Sequence, residues 1–237
     1  MSLDLNPDAI LIADSHFSAK ARGILDYLDL LLDSPPSQLI LMGDIAQVLL
    51  GNLKSSIKSN LSLLTALNRL ETKGVQIIWF EGNHDFFLHH IKQTKLLKQT
   101  IFIPRTKQPT LCAYQNKSYL LAHGDLFLSS KYELYIKTLT NIPKLLQVID
   151  YLSAGEIYLE IESKLTNKPI KQHPFHFFEF ASSRIEAYKE YSPTPFDGII
   201  EGHFHIGKKL ELYGIQYISL PSFYFEPKGI EIQTVLK

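Results

Sequence analysis

Five short apolar runs punctuate the chain, and each one ends in polar residues. Residues 9–13 run into Asp14-Ser15-His16, residues 39–42 into Gly43-Asp44, and residues 75–80 through Glu81 into Gly82-Asn83-His84-Asp85. Residues 119–122 lead to His123-Gly124-Asp125, and Ile199-Ile200 leads through Glu201 to Gly202-His203-Phe204-His205. Runs this short and apolar predict buried strands. Open α/β sheets carry their chemistry at the C-terminal ends of such strands, which is where these polar groups fall. Between the first runs, residues 18–33 place Ile24, Leu25, Leu28, Leu31 and Leu32 at helical spacing. Residues 53–72 do the same with Ile57, Leu61, Leu64, Leu67 and Leu70, and Gly74 follows as a C-terminal stop. That alternation predicts a βαβαβ start.

After His205 the pattern changes to short strands over 209–212, 215–219 and 230–235, divided by Tyr213-Gly214 and proline-containing turns. They predict a second, antiparallel sheet. Residues 126–196 show no strand rhythm and predict three or four helices, broken near Pro143, Gly155 and Pro169. The expected fold is therefore α/β: a two-sheet β sandwich flanked by helices, with a core over 1–125 and 197–237. A helical cap over 126–196 is inserted into it.

At 237 residues, 45% of them hydrophobic, the chain can bury a sizeable core. Its 24 basic and 24 acidic side chains cancel, so no overall positive field draws it to nucleic acid. Cys112 is the single cysteine, which excludes an intrachain disulfide and suits a reducing compartment. Residues 1–8 carry no basic stretch followed by an apolar one, and no run of 18 apolar residues occurs. A cytoplasmic setting is the expectation.

Aspartate, asparagine and histidine together suit manganese, iron or zinc, and one cysteine cannot make a thiolate site. In extended or turn segments residues i and i+2 point to one side, so Asp14 with His16, and His203 with His205, can each face one cavity. Gly43, Gly82, Gly124 and Gly202 stand beside these residues, where the backbone must turn sharply. A single Gly-Asp or His-Gly is commonly just a turn. Five such groups in order, each ending an apolar run, are not accounted for that way.

Together Asp14-x-His16, Gly43-Asp44, Gly82-Asn83-His84-Asp85, His123 and Gly202-His203-x-His205 resemble the motif set of the calcineurin-like metallophosphoesterases. The resemblance spans residues 10–205, and no metal-binding position is missing. It implies a two-sheet sandwich flanked by helices and two divalent metal ions, manganese being expected and iron or zinc the alternatives. One ion would take Asp14, His16, Asp44 and His205, and the other Asp44, Asn83, His123 and His203, with Asp44 shared. His84 would stabilise the transition state or protonate the leaving oxygen. Asp85 would orient His84, or else merely cap a following helix.

Within the family, the length, the place of the cap, and the Asp-x-His and Gly-His-x-His ends look most similar to one branch. Its enzymes cleave UDP-2,3-diacylglucosamine to UMP and a lipid monophosphate in lipid A biosynthesis. Many members of that branch carry Arg where His84 stands and an acidic residue near Gln47; His84 is the form shared by general phosphoesterases. The branch implies a nucleotide-lipid or other phosphorylated small-molecule substrate and peripheral contact with the inner membrane surface, with no nucleic acid. The rival readings are a generic phosphodiesterase or phosphatase, and a nuclease. A non-catalytic scaffold would normally have lost ligands, and here the set is intact.

The cap is expected to decide between them. Phe177, Phe178, Ala181, Ile185 and Tyr188 would share one helix face, leaving Phe175 and Phe180 for an apolar groove, a dimer contact or packing within the cap. Lys131, Lys137 and Arg184 are candidate phosphate partners. His89 and His90 are expected on the surface of a helix, and His173 and His176 exposed in the cap, with a phosphate role as the alternative.

Overall fold

The computed structural model describes residues 3–170 and 176–236. The chain enters through β1 (Leu3–Asp4) and β2 (Ile10–Ile12), then α1 (Gly23–Leu31), β3 (Gln38–Leu41) and β4 (Leu49–Leu50). Helices α2 (Lys54–Ser59) and α3 (Leu61–Thr72) lead to β5 (Gln76–Phe80), β6 (Asp85–Phe86) and a 3-10 helix over Leu88–Thr94. Strands β7 (Ile101–Ile103), β8 (Thr110–Tyr114) and β9 (Lys117–Ala122) follow. Four helices come next: α4 (Ser130–Thr140), α5 (Pro143–Leu152), α6 (Glu156–Thr166) and α7 (Phe177–Tyr191). Strands β10 (Gly198–Glu201), β11 (Lys208–Leu212), β12 (Ile215–Ser219) and β13 (Ile230–Glu231), then α8 (Ile232–Val235), complete the chain.

The first sheet has the order β13-β2-β3-β5-β7, and the second β1-β8-β9-β10-β12-β11. All five runs read as strands are strands. Period-two alternation sorts their side chains between layers. On β3, Leu39 and Leu41 face the outer core with Leu28, Leu64 and Leu67 of α1 and α3. Ile40 faces the space between the sheets, with Ile78, Leu121 and Ile200.

Three expectations need correction. The second sheet is mixed rather than antiparallel: β9 and β10 run parallel because α7 carries the chain back over the sheet between them, and β12 runs parallel to β10 because the chain first forms the outer strand β11 and then turns back. Residues 230–231 join the edge of the first sheet, and 232–235 are helical. The predicted helix over 53–72 is two helices, parted at Asn60, whose buried side-chain amide donates to Val48 O at 2.9 Å.

The cap boundary also moves. Helix α7 lays Ala181, Ile185 and Tyr188 on Leu120, Ile199 and Tyr217 of the second sheet, so it is the outer layer of the core sandwich. The cap proper is α4 to α6, breaking where expected: Pro143 opens α5, and Gly155 at φ 86° precedes α6. Its apolar footing on the core is small, with Tyr158, Leu146 and Leu165 on Val48, Leu50 and Leu53.

Candidate metal centre

The polar residues after β2, β3, β5, β9 and β10 meet where the C-terminal ends of the two sheets adjoin. Ligand atoms of Asp14, His16 and His205 lie within 4.8 Å of one another, and so do those of Asp44, His123 and His203. Asp44 also groups with His16 and His84 in the same range, so it stands between the two clusters. Asn83 Oδ1 is 3.2 Å from His123 Nε2, beside the second cluster. The seven residues expected to hold metal are thus brought to one place.

They do not reach it by simple alternation along an extended chain. Asp14, His16, Asp44, His203 and His205 all have left-handed backbones, with φ of 52°, 47°, 51°, 64° and 57°. Each such non-glycine residue costs about 1–3 kcal/mol, and clusters of them mark functional sites. The turns are tight enough to demand glycine next to them. A Cβ on Gly43 would stand 2.5 Å from His123 Nδ1, and one on Gly82 would overlap Asp44 Oδ1.

The neutral forms of His16 and His203 suit a cation. Burial pulls the pKa of His16 and of His203 down to about 4, so both imidazoles are neutral and keep a lone pair. Burial also disfavours charge on His123, but the surrounding carboxylates, Asp44 at 3.4 Å foremost with Asp14 and Asp125, raise that pKa, so a cation at this position would take the place of the His123 proton. His123 Nδ1 contacts Met42 O at 2.9 Å, which aims Nε2 at Asp44 and Asn83. Asp14 Oδ1 and both ring nitrogens of His16 are buried without a hydrogen-bond partner among the described residues. Buried polar groups are rarely left so, and a divalent ion would satisfy Asp14 Oδ1 together with the lone-pair nitrogen of His16. The oxygen and imidazole donor set fits manganese, iron or zinc.

The calcineurin-like phosphoesterase family model matches residues 9–207. The chain belongs to that family. Among solved structures, an archaeal phosphodiesterase is 13% identical, covering 91% of this chain and 84% of its own, with a TM-score of 0.46. The phosphoesterase Yfce of E. coli is 16% identical, covering 94% and 81%, at 0.43. A dimetal phosphatase of Danio rerio is 16% identical, covering 92% and 88%, at 0.41. Likenesses this distant assign no substrate. No curated protein sequence matches the chain.

Around the phosphoesterase site, several side chains do other work than their sequence context suggested. Asp85 neither orients His84 nor caps a helix. It is fully buried and accepts from Asp44 N (3.1 Å), Ile45 N (3.0 Å), Gly82 N (2.6 Å) and Trp79 Nε1 (3.1 Å). Burial and the Asp44 carboxylate raise its pKa, but its four partners are all N–H donors, so the pocket is built for the carboxylate. Asp85 therefore ties the Asp44 loop to the Gly82-Asn83 loop. His84 is oriented instead by Gln47, whose carbonyl lies 2.7 Å from His84 Nδ1.

Arg184 is not a phosphate partner. It is 5% exposed and commits its guanidinium to Glu201 (2.8 and 2.7 Å), Leu126 O (2.7 Å) and Gly124 O (3.1 Å). Arg105, which the sequence reading passed over, holds the same loop from the other side through Asp125 Oδ2 (2.6 Å) and Asp125 O (3.0 Å). The two arginines thus clamp the segment that follows His123.

The cleft over the site has a volume of about 510 Å³, and its lining includes His84, Gln47, Phe204, Leu165, Lys168, Pro169 and Ile170. Lys131 and Lys137 do not line it; Lys137 faces a separate cavity beside Arg105 and Glu133. Lys168 is the cation that does, among the described residues, and its place just before Pro169, beyond the end of α6, was the available signal. Phe180 packs at a ring-centroid distance of 4.6 Å on Phe204 and 6.1 Å on Tyr217, whereas Phe178 is exposed, so the predicted face of α7 is rotated. Phe175 and His173 lie outside the described residues. His89 and His176 are exposed and His90 half-buried.

Proposed function

We propose that this phosphoesterase cleaves a nucleotide-lipid pyrophosphate of the UDP-2,3-diacylglucosamine type, releasing UMP and a lipid monophosphate. The observation that carries the reading is the apolar exterior of the cap. Helices α4 to α6 leave Leu134, Tyr135, Leu145, Val148, Tyr151, Leu152, Ile157 and Ile161 exposed, Tyr151 at 82% and Leu152 at 76%. The end of α6 and the residues after it continue that character into the cleft wall with Leu165, Pro169 and Ile170. Each methylene buried is worth about 0.8 kcal/mol, so acyl chains have much to gain there. No helix among the described residues is long and apolar enough to cross a membrane. The exposed cap face would instead rest on the inner membrane surface, from a cytoplasmic position.

Asp14, His16, Asp44 and His205 would hold one divalent ion, and Asp44, Asn83, His123 and His203 the second. Bound there, the pair supplies Lewis-acid charge to phosphoryl oxygens and a readily ionised water. The chain's own contribution begins with His84. With Nδ1–H donated to Gln47 O, the ring is fixed and Nε2 is the nitrogen left to face a leaving oxygen and deliver its proton. Lys168 draws the anionic substrate into the cleft, and the apolar wall excludes water beside it.

A second reading is a general phosphodiesterase or phosphatase acting on small phosphoesters, favoured by His84 itself. A nuclease is disfavoured by the single cationic side chain lining the cleft among the described residues. With manganese supplied, UDP-2,3-diacylglucosamine should be hydrolysed with a higher kcat/KM than bis(p-nitrophenyl) phosphate. Turnover of the artificial diester alone would leave the second reading as the better one.

A further inference from the structure

Gln47 sits where three parts of the molecule meet. Its backbone N–H donates to Phe17 O at 2.8 Å, next to His16, and its carbonyl orients His84. Its side-chain Nε2 donates to Leu165 O at 3.0 Å, in the last turn of α6. That bond decides which end of the amide points where. A backbone carbonyl can only accept, so the NH2 group must face Leu165 and Oε1 must face away from it.

Oε1 is buried and has no hydrogen-bond partner among the described residues, although Gln47 is only 5% exposed and lines the cleft. An acceptor placed beside the reaction centre and left without a donor is an incomplete interaction. Sites that hold such a group in wait discriminate strongly between ligands that bring the missing donor and those that do not. The cleft's other lining includes the donors Lys168 and Asn83, yet among the described residues none is within hydrogen-bond distance of Oε1.

We infer that Gln47 is a specificity-determining residue, presenting Oε1 to an N–H or O–H donor on the alcohol portion of the substrate, such as a base imide or a sugar hydroxyl. Its amide nitrogen meanwhile keeps the end of α6 seated over the cleft. The inference rests on the cleft being the substrate site of a hydrolase, and not on the substrate being a lipid.

The test compares two diesters with the same leaving group: thymidine 5′-(p-nitrophenyl phosphate), which carries an imide N–H and a hydroxyl, and bis(p-nitrophenyl) phosphate, which carries neither. Gln47→Met removes both ends of the amide. Gln47→Glu keeps acceptor oxygens but loses the bond to Leu165 O. The wild type should prefer the thymidine ester, Gln47→Met should lose about 5- to 10-fold of that preference, and Gln47→Glu should retain most of it. The same ordering should appear in the Kd of thymidine 5′-monophosphate relative to phenyl phosphate on metal-free protein, which reads recognition without turnover. A preference unchanged in Gln47→Met, or lost equally in both variants, would mean that Gln47 only seats the cap. Both probes lack acyl chains, so either result leaves the lipid reading to be decided by its own experiment.

Discussion

The floor of the active site and the cap above it are held in opposite ways. On the floor, ligand loops from both sheets are locked by buried, charge-assisted bonds. Asp85 joins the Asp44 and Asn83 loops through four N–H donors, while Arg105 and Arg184 grip the chain after His123 from two sides. The cap rests on the small cluster around Tyr158, on one ion pair at its edge from Arg105 to Glu133 of α4 (3.0 and 2.8 Å), and on polar ties such as Gln47 to Leu165 O and Asn52 to Pro143 O at 3.1 Å. Its outer faces are apolar and uncovered. Rigid geometry is what metal binding and in-line chemistry require, and packing can supply it only where side chains are fully enclosed. A substrate-gathering surface needs the reverse, apolar area left open until the substrate covers it.

Substitutions on the floor should therefore impair chemistry on every substrate, and those on the cap should change selectivity alone. Asp44→Ala carries the largest expected effect. Removing the carboxylate common to both clusters should empty both metal positions and lower turnover by more than the ~10²–10³-fold cost of deleting one oxyanion-hole donor. Metal analysis after dialysis, with His205→Ala retaining one ion per chain, checks it; full occupancy in Asp44→Ala would break the floor model. Next, His84→Ala should keep both metals and slow hydrolysis by about 10²–10⁴-fold for a poor leaving group, and less for p-nitrophenolate. Equal losses on both leaving groups would assign His84 to charge stabilisation rather than proton transfer.

Asp85→Asn sharpens the distinction between ligand and support. Its NH2 would confront N–H donors that now meet carboxylate oxygen, and metal affinity should fall by about 10–100-fold with the ligand set complete. Titration with manganese measures this directly. The smallest effect belongs to the cap: Leu152→Asp or Tyr151→Asp should leave thermal stability within about 0.5 kcal/mol. Hydrolysis of UDP-2,3-diacylglucosamine should drop by about 10-fold, roughly the loss of one or two buried methylenes, and bis(p-nitrophenyl) phosphate should be unaffected. Parallel losses on both substrates would erase the contrast between cap and floor.

The linear order of residues determined the candidate ligand set, because each candidate lies in the turn that follows the strand delivering it. Asp14, Asp44, Asn83, His123 and His203 needed only the local rule that a short apolar run becomes a buried strand ending in a turn. The breaks at Pro143 and Gly155 were legible for the same reason, since both residues act on their own backbone. Partnerships between distant positions were decided by the tertiary structure. Asp85 meets Asp44 across 41 residues and Gln47 meets Leu165 across 118. The membership of α7 in the sandwich depends on Tyr217 and Ile199 lying beneath it. Arg184 shows the reason most plainly. A lone arginine on a helix can bind a phosphate or neutralise a buried acid, and only the fold, by burying Glu201 against it, determines that it does the second.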